Sequence, residues 1–194
     1  HRTGDIDENS LFKVCMKDDR LMMRSDVVDK SRIAVCLLVD ESGSMNWAEK
    51  DVHARNVAIV LGESLKSVDG MAISIYGHTA EEWGHGCSGD EVSIREYFTP
   101  RNKKIASCMN IAARSENHDS WAMQHTANLF YRDYHDYDRK IMFVISDGQP
   151  AGSCYGGKLA QDHMRAVSKA AEKMGVEIYG VGIATVSYTH LTLP

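Results

Sequence analysis

Long apolar runs that stop at polar turns dominate the pattern of this chain. Residues 33–39 are seven apolar residues in a row, which is typical of a strand buried on both faces of a parallel sheet. Apolar spacings of three and four over residues 48–66 predict an amphipathic helix, and residues 71–77 a second strand. Strand, helix and strand in this order form a βαβ unit, which requires parallel strands and a right-handed crossover.

The rest of the chain continues this alternation. Residues 78–90 contain three glycines and predict a surface loop. The later elements are an edge strand at 92–98, helices at 103–113, 121–131 and 158–174, and strands at 141–145 and 176–183. We therefore predict an α/β fold with a doubly wound, mostly parallel central sheet, helices on both faces and one antiparallel edge strand.

Length and composition narrow the class of protein. The chain has 194 residues, enough for one well-buried α/β domain, with 43% hydrophobic and 25% charged residues. A net charge of −5 argues against a nucleic-acid partner, because no basic excess is available for phosphates. The sequence contains neither a long apolar run nor an apolar signal segment. We expect a cytoplasmic protein that does not bind membranes.

The chain divides into three parts. Residues 1–30 are a polar lead-in segment, in which residues 11–16 and 21–23 predict a short helix or an edge strand. Residues 31–184 hold the domain. Residues 185–194 continue no helical or strand pattern and resemble read-through of an adaptor sequence, so we expect them to be non-native. Because the chain begins at His1 rather than at methionine, we expect it to be a fragment.

Polar turns follow two of the predicted strands. Asp40, Ser42 and Ser44 alternate just after the first strand, and Asp147 comes just after the strand at 141–145. If these two strands are neighbours, their following loops face each other across the ligand crevice of the sheet. Two nearby carboxylates resist joint ionisation unless a cation lies between them. Carboxylate and hydroxyl oxygens suit Mg²⁺ or Mn²⁺.

The first of these turns resembles a known signature. Residues 40–44 are similar to the Asp-x-Ser-x-Ser motif that begins the metal-ion-dependent adhesion site of von Willebrand factor A domains. The resemblance implies a Rossmann-like fold, a second-loop ligand that is usually threonine, and an aspartate after the fourth strand, which Asp147 matches. No threonine occurs at residues 115–120, so either Asp119 or Asn117 is expected to serve there.

A closer likeness is to the C-terminal domain of the cobaltochelatase subunit CobT and its phage-borne relatives. It rests on residues 37–45, 116–119, 144–150 and 181–183. The resemblance implies a non-catalytic adaptor subunit. An AAA+ ATPase of the chelatase or MoxR type would supply an acidic ligand to the metal, and a larger chelatase subunit would insert the cobalt. The sequence has no Walker A motif.

Two other interpretations stay open. The polar residues could serve structure alone, since Asp119 or Ser120 is a good helix N-cap. Alternatively, the chain is a Mg²⁺-dependent phosphate-ester hydrolase or a receiver-like domain, although a nucleophilic Asp40 would normally be followed two residues later by an acid rather than by Ser42. The favoured interpretation is a protein-binding module without catalysis of its own, whose metal ligands are Asp40, Ser42, Ser44, Asp119 and Asp147.

Overall fold

The computed structural model describes residues 5–6, 22–23, 31–82, 90–148 and 155–183. The chain forms two compact units, His1–Lys30 and Ser31–Pro194. In the first unit, strand β1 (Asp5–Ile6) pairs antiparallel with strand β2 (Met22–Met23). The segment predicted at 11–16 and the tail at 185–194 lie outside the described residues. Within the described part of the chain, no helix combines the length and apolar character needed to cross a membrane.

The second unit is built on a five-stranded sheet. Its strands are β3 (Ile33–Asp40), β4 (Met71–Glu82), β5 (Asp90–Phe98), β6 (Arg139–Ser146) and β7 (Val176–Gly182). They lie in the order β5-β4-β3-β6-β7. The β3–β4, β3–β6 and β6–β7 pairs are parallel, whereas β5 pairs antiparallel with β4. The predicted sheet, with its antiparallel edge strand, is confirmed.

Helices cover both faces of this sheet. Helix α1 (Lys50–Leu65) packs on one face, and helices α2 (Asp119–Asp133) and α3 (Gly157–Lys173) pack on the other. Successive side chains of a strand point to opposite faces, so β3 serves two cores. Ala34, Cys36 and Leu38 belong to the core under α2 and α3, whereas Val35, Leu37 and Val39 belong to the core under α1. This double burial explains the unbroken apolar run.

Two predicted segments were wrong. Residues 78–82 belong to strand β4 rather than to a loop, because β5 pairs along this extension from His78↔Ile94 to Glu82↔Asp90; residues 83–89 lie outside the described residues. The helix predicted at 103–113 is a short 3-10 helix at Ile105–Asn110. Its i→i+3 hydrogen bonding stops where the chain becomes extended at Ile111.

The first helix also begins later than predicted. Residues Gly43–Glu49 form 3-10 turns, and α1 starts at Lys50. Ala48 and Glu49 have φ values of 56° and 55°, in the left-handed region that an α-helix cannot contain. The left-handed pair therefore sets the start of α1.

The topology brings three loops to one edge of the sheet. Strand β3 pairs with β6 up to Val39↔Ile145, so the residues that follow both strands emerge side by side. The segment before α2 reaches the same edge because it pairs with the extension of β4: Ala80 N donates to Glu116 O at 2.8 Å, and Glu116 N donates to Ala80 O at 2.9 Å. The mispredicted extension of β4 thus positions part of the candidate site.

Candidate metal centre

The Asp40 carboxylate lies at the centre of the three loops, which we define as loop 1 (residues 40–45), loop 2 (residues 114–119) and loop 3 (residues 146–148). Asp40 is 1% exposed. Its Oδ1 accepts a hydrogen bond from Ser42 N at 2.7 Å. Its Oδ2 accepts from Asn117 Nδ2 at 3.0 Å and from Ser146 Oγ at 2.8 Å. One buried carboxylate therefore connects all three loops.

The two serines of loop 1 lie beside this carboxylate. Ser42 is buried and Ser44 is exposed, and their Oγ atoms are 3.1 Å apart. The backbone of loop 1 is fixed to loop 2, since Gly43 N donates to Ser115 O at 2.6 Å and Arg114 N donates to Glu41 O at 2.6 Å. Loop 1 thus places one hydroxyl inside the site and one at its opening.

Loop 2 contributes two buried polar side chains, Asn117 and Asp119. Helix α2 has His118 as its N-cap, with no side-chain capping bond, so the predicted capping role of Asp119 or Ser120 was wrong. Asp119 Oδ1 and Asn117 Oδ1 are buried, and neither has a hydrogen-bond partner among the described residues. Asn117 and Asp119 thus both lie at the candidate site, and both remain possible second-loop ligands.

Burial favours the protonated form of Asp119 in loop 2. It raises the pKa of the Asp119 carboxyl to about 7, and the negative charge of Asp40 raises this pKa further. A hydrogen bond from Asn117 opposes the shift. His78 follows Gly77 in β4 and is fully buried; burial lowers its pKa, against the opposing charge of Asp40. Its Nε2 lies 3.4 Å from Asp119 Oδ1 without a hydrogen bond. A neutral imidazole thus borders the carboxylates.

Asp147 in loop 3 has a cationic partner that the sequence pattern did not predict. Lys50 Nζ lies 2.9 Å from Asp147 Oδ2, and the two side chains are 12% and 8% exposed. Asp147 Oδ1 is buried and, within the described residues, has no hydrogen-bond partner. Lys50 therefore pairs with one of the two carboxylate oxygens of Asp147 and leaves the other available.

The donor set fits a hard divalent cation. Unpartnered buried oxygens cost free energy, roughly 1–3 kcal/mol each, and Asp119, Asp147 and Asn117 each supply one. In the described part of the chain, no three His, Cys, Asp or Glu side chains are grouped closely enough to hold a metal on their own. Ser42, Ser44 and water would have to complete a coordination shell, as Mg²⁺ and Mn²⁺ allow. All five predicted ligands remain candidates.

A second buried carboxylate supports loop 1. Glu41 is fully buried; Tyr97 Oη donates to its Oε1, and Arg114 Nε donates to its Oε2 at 2.9 Å. Arg95 Nε lies 3.5 Å from the same Oε2. Burial raises the pKa of Glu41, although these donors oppose the shift. Glu41 is the unspecified second position of the loop motif, so the motif gave no signal of this positioning role.

The sheet order and flanking helices form a fold like that of von Willebrand factor A domains. Over residues 98–190 the chain matches the family described as "Cobalamin biosynthesis protein CobT VWA domain", which supports the resemblance to the CobT C-terminal domain. The matched segment contains Asp119 and Asp147 and lies beyond loop 1. No curated protein sequence matches the chain.

Several solved structures share the fold. The SpaC pilus adhesin of Lactobacillus rhamnosus GG is 14% identical over 79% of this chain, with a TM-score of 0.58. Manganese-loaded TRAP of Plasmodium vivax is 13% identical over 80% of this chain, with a TM-score of 0.53. Mussel byssus proximal thread matrix protein 1, with a zinc-occupied adhesion motif, is 14% identical over 79% of this chain, with a TM-score of 0.51. The chain spans 25%, 58% and 38% of these proteins, respectively.

We predict that Gly77→Ala destabilises the domain. A Cβ at residue 77 would lie 2.6 Å from Glu41 Oε1 and 2.7 Å from Tyr97 Cε2, so the buried carboxylate that supports loop 1 must shift. Overpacking of this kind costs about 1–3 kcal/mol, measurable by urea denaturation. The control is Gly180→Ala, where a Cβ meets no heavy atom within 4 Å in the described structure. Equal stability of the two variants would contradict the packing.

We also predict a pH dependence caused by Asp119. Without metal, its pKa is 3.8 in the unfolded chain and about 7 in the native one, so the native state binds more protons between these values. The free energy of unfolding in EDTA should then fall as pH rises from about 4 to about 7 and level off above. Asp119→Asn should remove this fall in the free energy of unfolding, measured by urea denaturation at several pH values. The control is Asp162→Asn, because Asp162 is exposed, and this variant should retain the fall. The same pH dependence in the wild type and in Asp119→Asn would show that Asp119 is not its cause.

Proposed function

We propose that this domain is a divalent-metal-dependent protein-binding module. In this proposal Asp40, Ser42, Ser44, Asp119 and Asp147 hold Mg²⁺ or Mn²⁺ directly or through water. A carboxylate from a partner protein then replaces one water and completes the shell. The domain serves as a cytoplasmic adaptor between an AAA+ ATPase and a cobaltochelatase-type metal-insertion complex, and catalyses no reaction itself.

The observation that carries the proposal is the set of unpartnered buried oxygens at one edge of the sheet. Asp119 Oδ1 and Asp147 Oδ1 are buried without hydrogen bonds among the described residues, and loop 1 brings the Ser42 and Ser44 hydroxyls to the same edge of the sheet. The Ser42 and Ser44 hydroxyls add no negative charge to the shell, and water would fill its remaining positions. A partner carboxylate can replace one of these waters, which is the chemistry of a metal-bridged protein contact.

Comparisons with known proteins support both the binding of a divalent metal and the association with a cobaltochelatase complex. Two proteins of the same fold carry a divalent metal, manganese in TRAP and zinc in the adhesion motif of the mussel protein. The family match to the CobT domain supports a role in a cobaltochelatase complex. From this resemblance we infer an AAA+ ATPase of the chelatase or MoxR type as the source of the acidic ligand.

The surface around the Ser44 hydroxyl is suited to a protein partner. A shallow groove is lined by Gly43, Ser44, Asn46, Trp47 and Ala48. Trp47 is 75% exposed, which is unusual for a large apolar side chain, and Trp residues are enriched among the anchors of protein interfaces. A partner segment that presents an acidic residue next to an apolar one would match both the metal and the tryptophan.

The geometry gives less support to the phosphate-ester alternative. A nucleophilic aspartate must be reached by the substrate, whereas Asp40 is almost completely buried. Its oxygens accept hydrogen bonds from all three loops. A connecting role for this carboxylate accounts for its contacts better than a nucleophilic one.

The metal site is tested by thermal unfolding with Mg²⁺ or Mn²⁺ and with EDTA. A metal at about 100 times its dissociation constant should stabilise the native state by about 2.7 kcal/mol. Ser44→Ala should reduce the metal-induced rise in Tm while leaving Tm in EDTA nearly unchanged, because Ser44 is exposed and bonds only to Ser42 in the described structure. The control is Ser115→Ala, because Ser115 is also exposed but is not among the proposed metal ligands. An unchanged Tm of the wild type with either metal would contradict the site.

The partner is tested by co-purification with a chelatase-type or MoxR-type AAA+ ATPase from the same source. We expect retention of the ATPase in Mg²⁺, loss of at least about tenfold in EDTA, and a similar loss with Ser44→Ala, because the metal bridges the contact. Trp47→Ala should weaken retention without changing metal binding. Retention that is equal in EDTA and in Mg²⁺ would show that any contact does not pass through the metal.

A further inference from the structure

The Lys50 ammonium lies beside a carboxylate that we propose as a metal ligand. Lys50 Nζ is 2.9 Å from Asp147 Oδ2, and both side chains are largely buried. The pair connects the first residue of α1 to the loop after β6. This contact links the start of α1 to loop 3, and it satisfies one oxygen of a residue that we propose as a metal ligand.

The backbone before Lys50 is unusual. Ala48 and Glu49 are consecutive non-glycine residues in the left-handed region, at φ values of 56° and 55°, which side chains with a Cβ rarely adopt. Trp47, Ala48 and Glu49 are all exposed. The segment that carries Lys50 to Asp147 is therefore strained and lies at the surface, with solvent rather than packed core on its outer side.

We propose that Lys50 is a built-in cation that competes with the divalent metal for Asp147 and so weakens metal binding. The inference rests on the proposed metal site. In the metal-free protein the ammonium neutralises Asp147. A divalent cation bound to the unpartnered Oδ1 of Asp147 is repelled by an ammonium a few ångströms away on Oδ2, so metal binding weakens the contact of Nζ with Oδ2. The long, flexible side chain of lysine permits Nζ to move away.

The competition predicts two effects of opposite sign. Without metal, removing the ammonium leaves Asp147 buried without its partner, which destabilises the native state. With metal, the same change removes a repulsive charge and strengthens binding. A lysine that served only to stabilise the loops would give the first effect without the second, so the pair of signs identifies the role.

The experiment compares Lys50→Gln and Lys50→Met with the wild type. Gln retains a hydrogen-bond donor for Asp147 without charge, and is the variant to use if Lys50→Met does not fold. Isothermal titration with Mn²⁺ or Mg²⁺ should show binding about tenfold tighter in both variants, and Tm in EDTA should fall. Lys66→Met is the control, because Lys66 pairs with Glu63 on the exposed side of the domain and should change neither quantity.

The outcomes separate this inference from the proposed function. Metal binding by the wild type with equal or weaker binding by Lys50→Gln would overturn the competition but leave the metal site intact. Binding by the variant alone would support the competition but contradict the proposed metal-dependent function of the wild type, because Lys50 would then exclude the metal. No binding by either protein would overturn both the metal site and the role of Lys50.

Discussion

The hydrogen bonding of the Asp40 carboxylate is the interaction on which the candidate site depends. Loops 1, 2 and 3 are far apart in sequence, and each donates to this one side chain through Ser42 N, Asn117 Nδ2 or Ser146 Oγ. The carboxylate is almost completely buried, where such charge-assisted bonds are strong and an unmade bond is costly. Asp40 therefore aligns the three loops that form the candidate site.

The same arrangement concentrates negative charge. Two carboxylates about 4 Å apart would repel by about 4 kcal/mol at an effective dielectric constant of 20, and three aspartates approach this edge of the sheet. The metal-free chain relieves the repulsion in two ways. Lys50 pairs with Asp147, and burial together with Asp40 favours the protonated form of Asp119. Both effects lower the repulsion among the three carboxylates.

The sequence predicted the sheet well because its signals were local and strong. The apolar run at residues 33–39 is buried on both faces, and the run at 141–145 is buried on one face and partly buried on the other. The pairing of these strands brings Asp40 and Asp147 to the same edge as expected. The extension of β4 was missed because residues 78–82 are apolar only in part, and their strand conformation comes from pairing with β5. Such pairing is a long-range effect that local composition does not contain.

The candidate site was predictable in its acids and hydroxyls but not in its counter-charges. Asp40, Ser42 and Ser44 follow a recognisable spacing, whereas Lys50 is the first residue of an ordinary amphipathic helix. It follows two left-handed residues, Ala48 and Glu49, which no propensity would place there, and its partner Asp147 is distant in sequence. The buried partners of Glu41 were equally hidden, since Tyr97 and Arg114 come from separate elements.

These counter-charges bear on how the site would work in an assembly. A site made only of carboxylates would bind a divalent cation tightly and satisfy its charge, leaving little attraction for a partner's acid. Here, neutral hydroxyls and an adjacent lysine both limit the negative charge available to the metal. The cation would consequently be held weakly by the domain alone and more strongly once a partner carboxylate replaces a water. Metal and partner would then bind with positive coupling, because each raises the affinity for the other by the same factor. A contact of this kind is readily made and broken, which suits the proposed adaptor role.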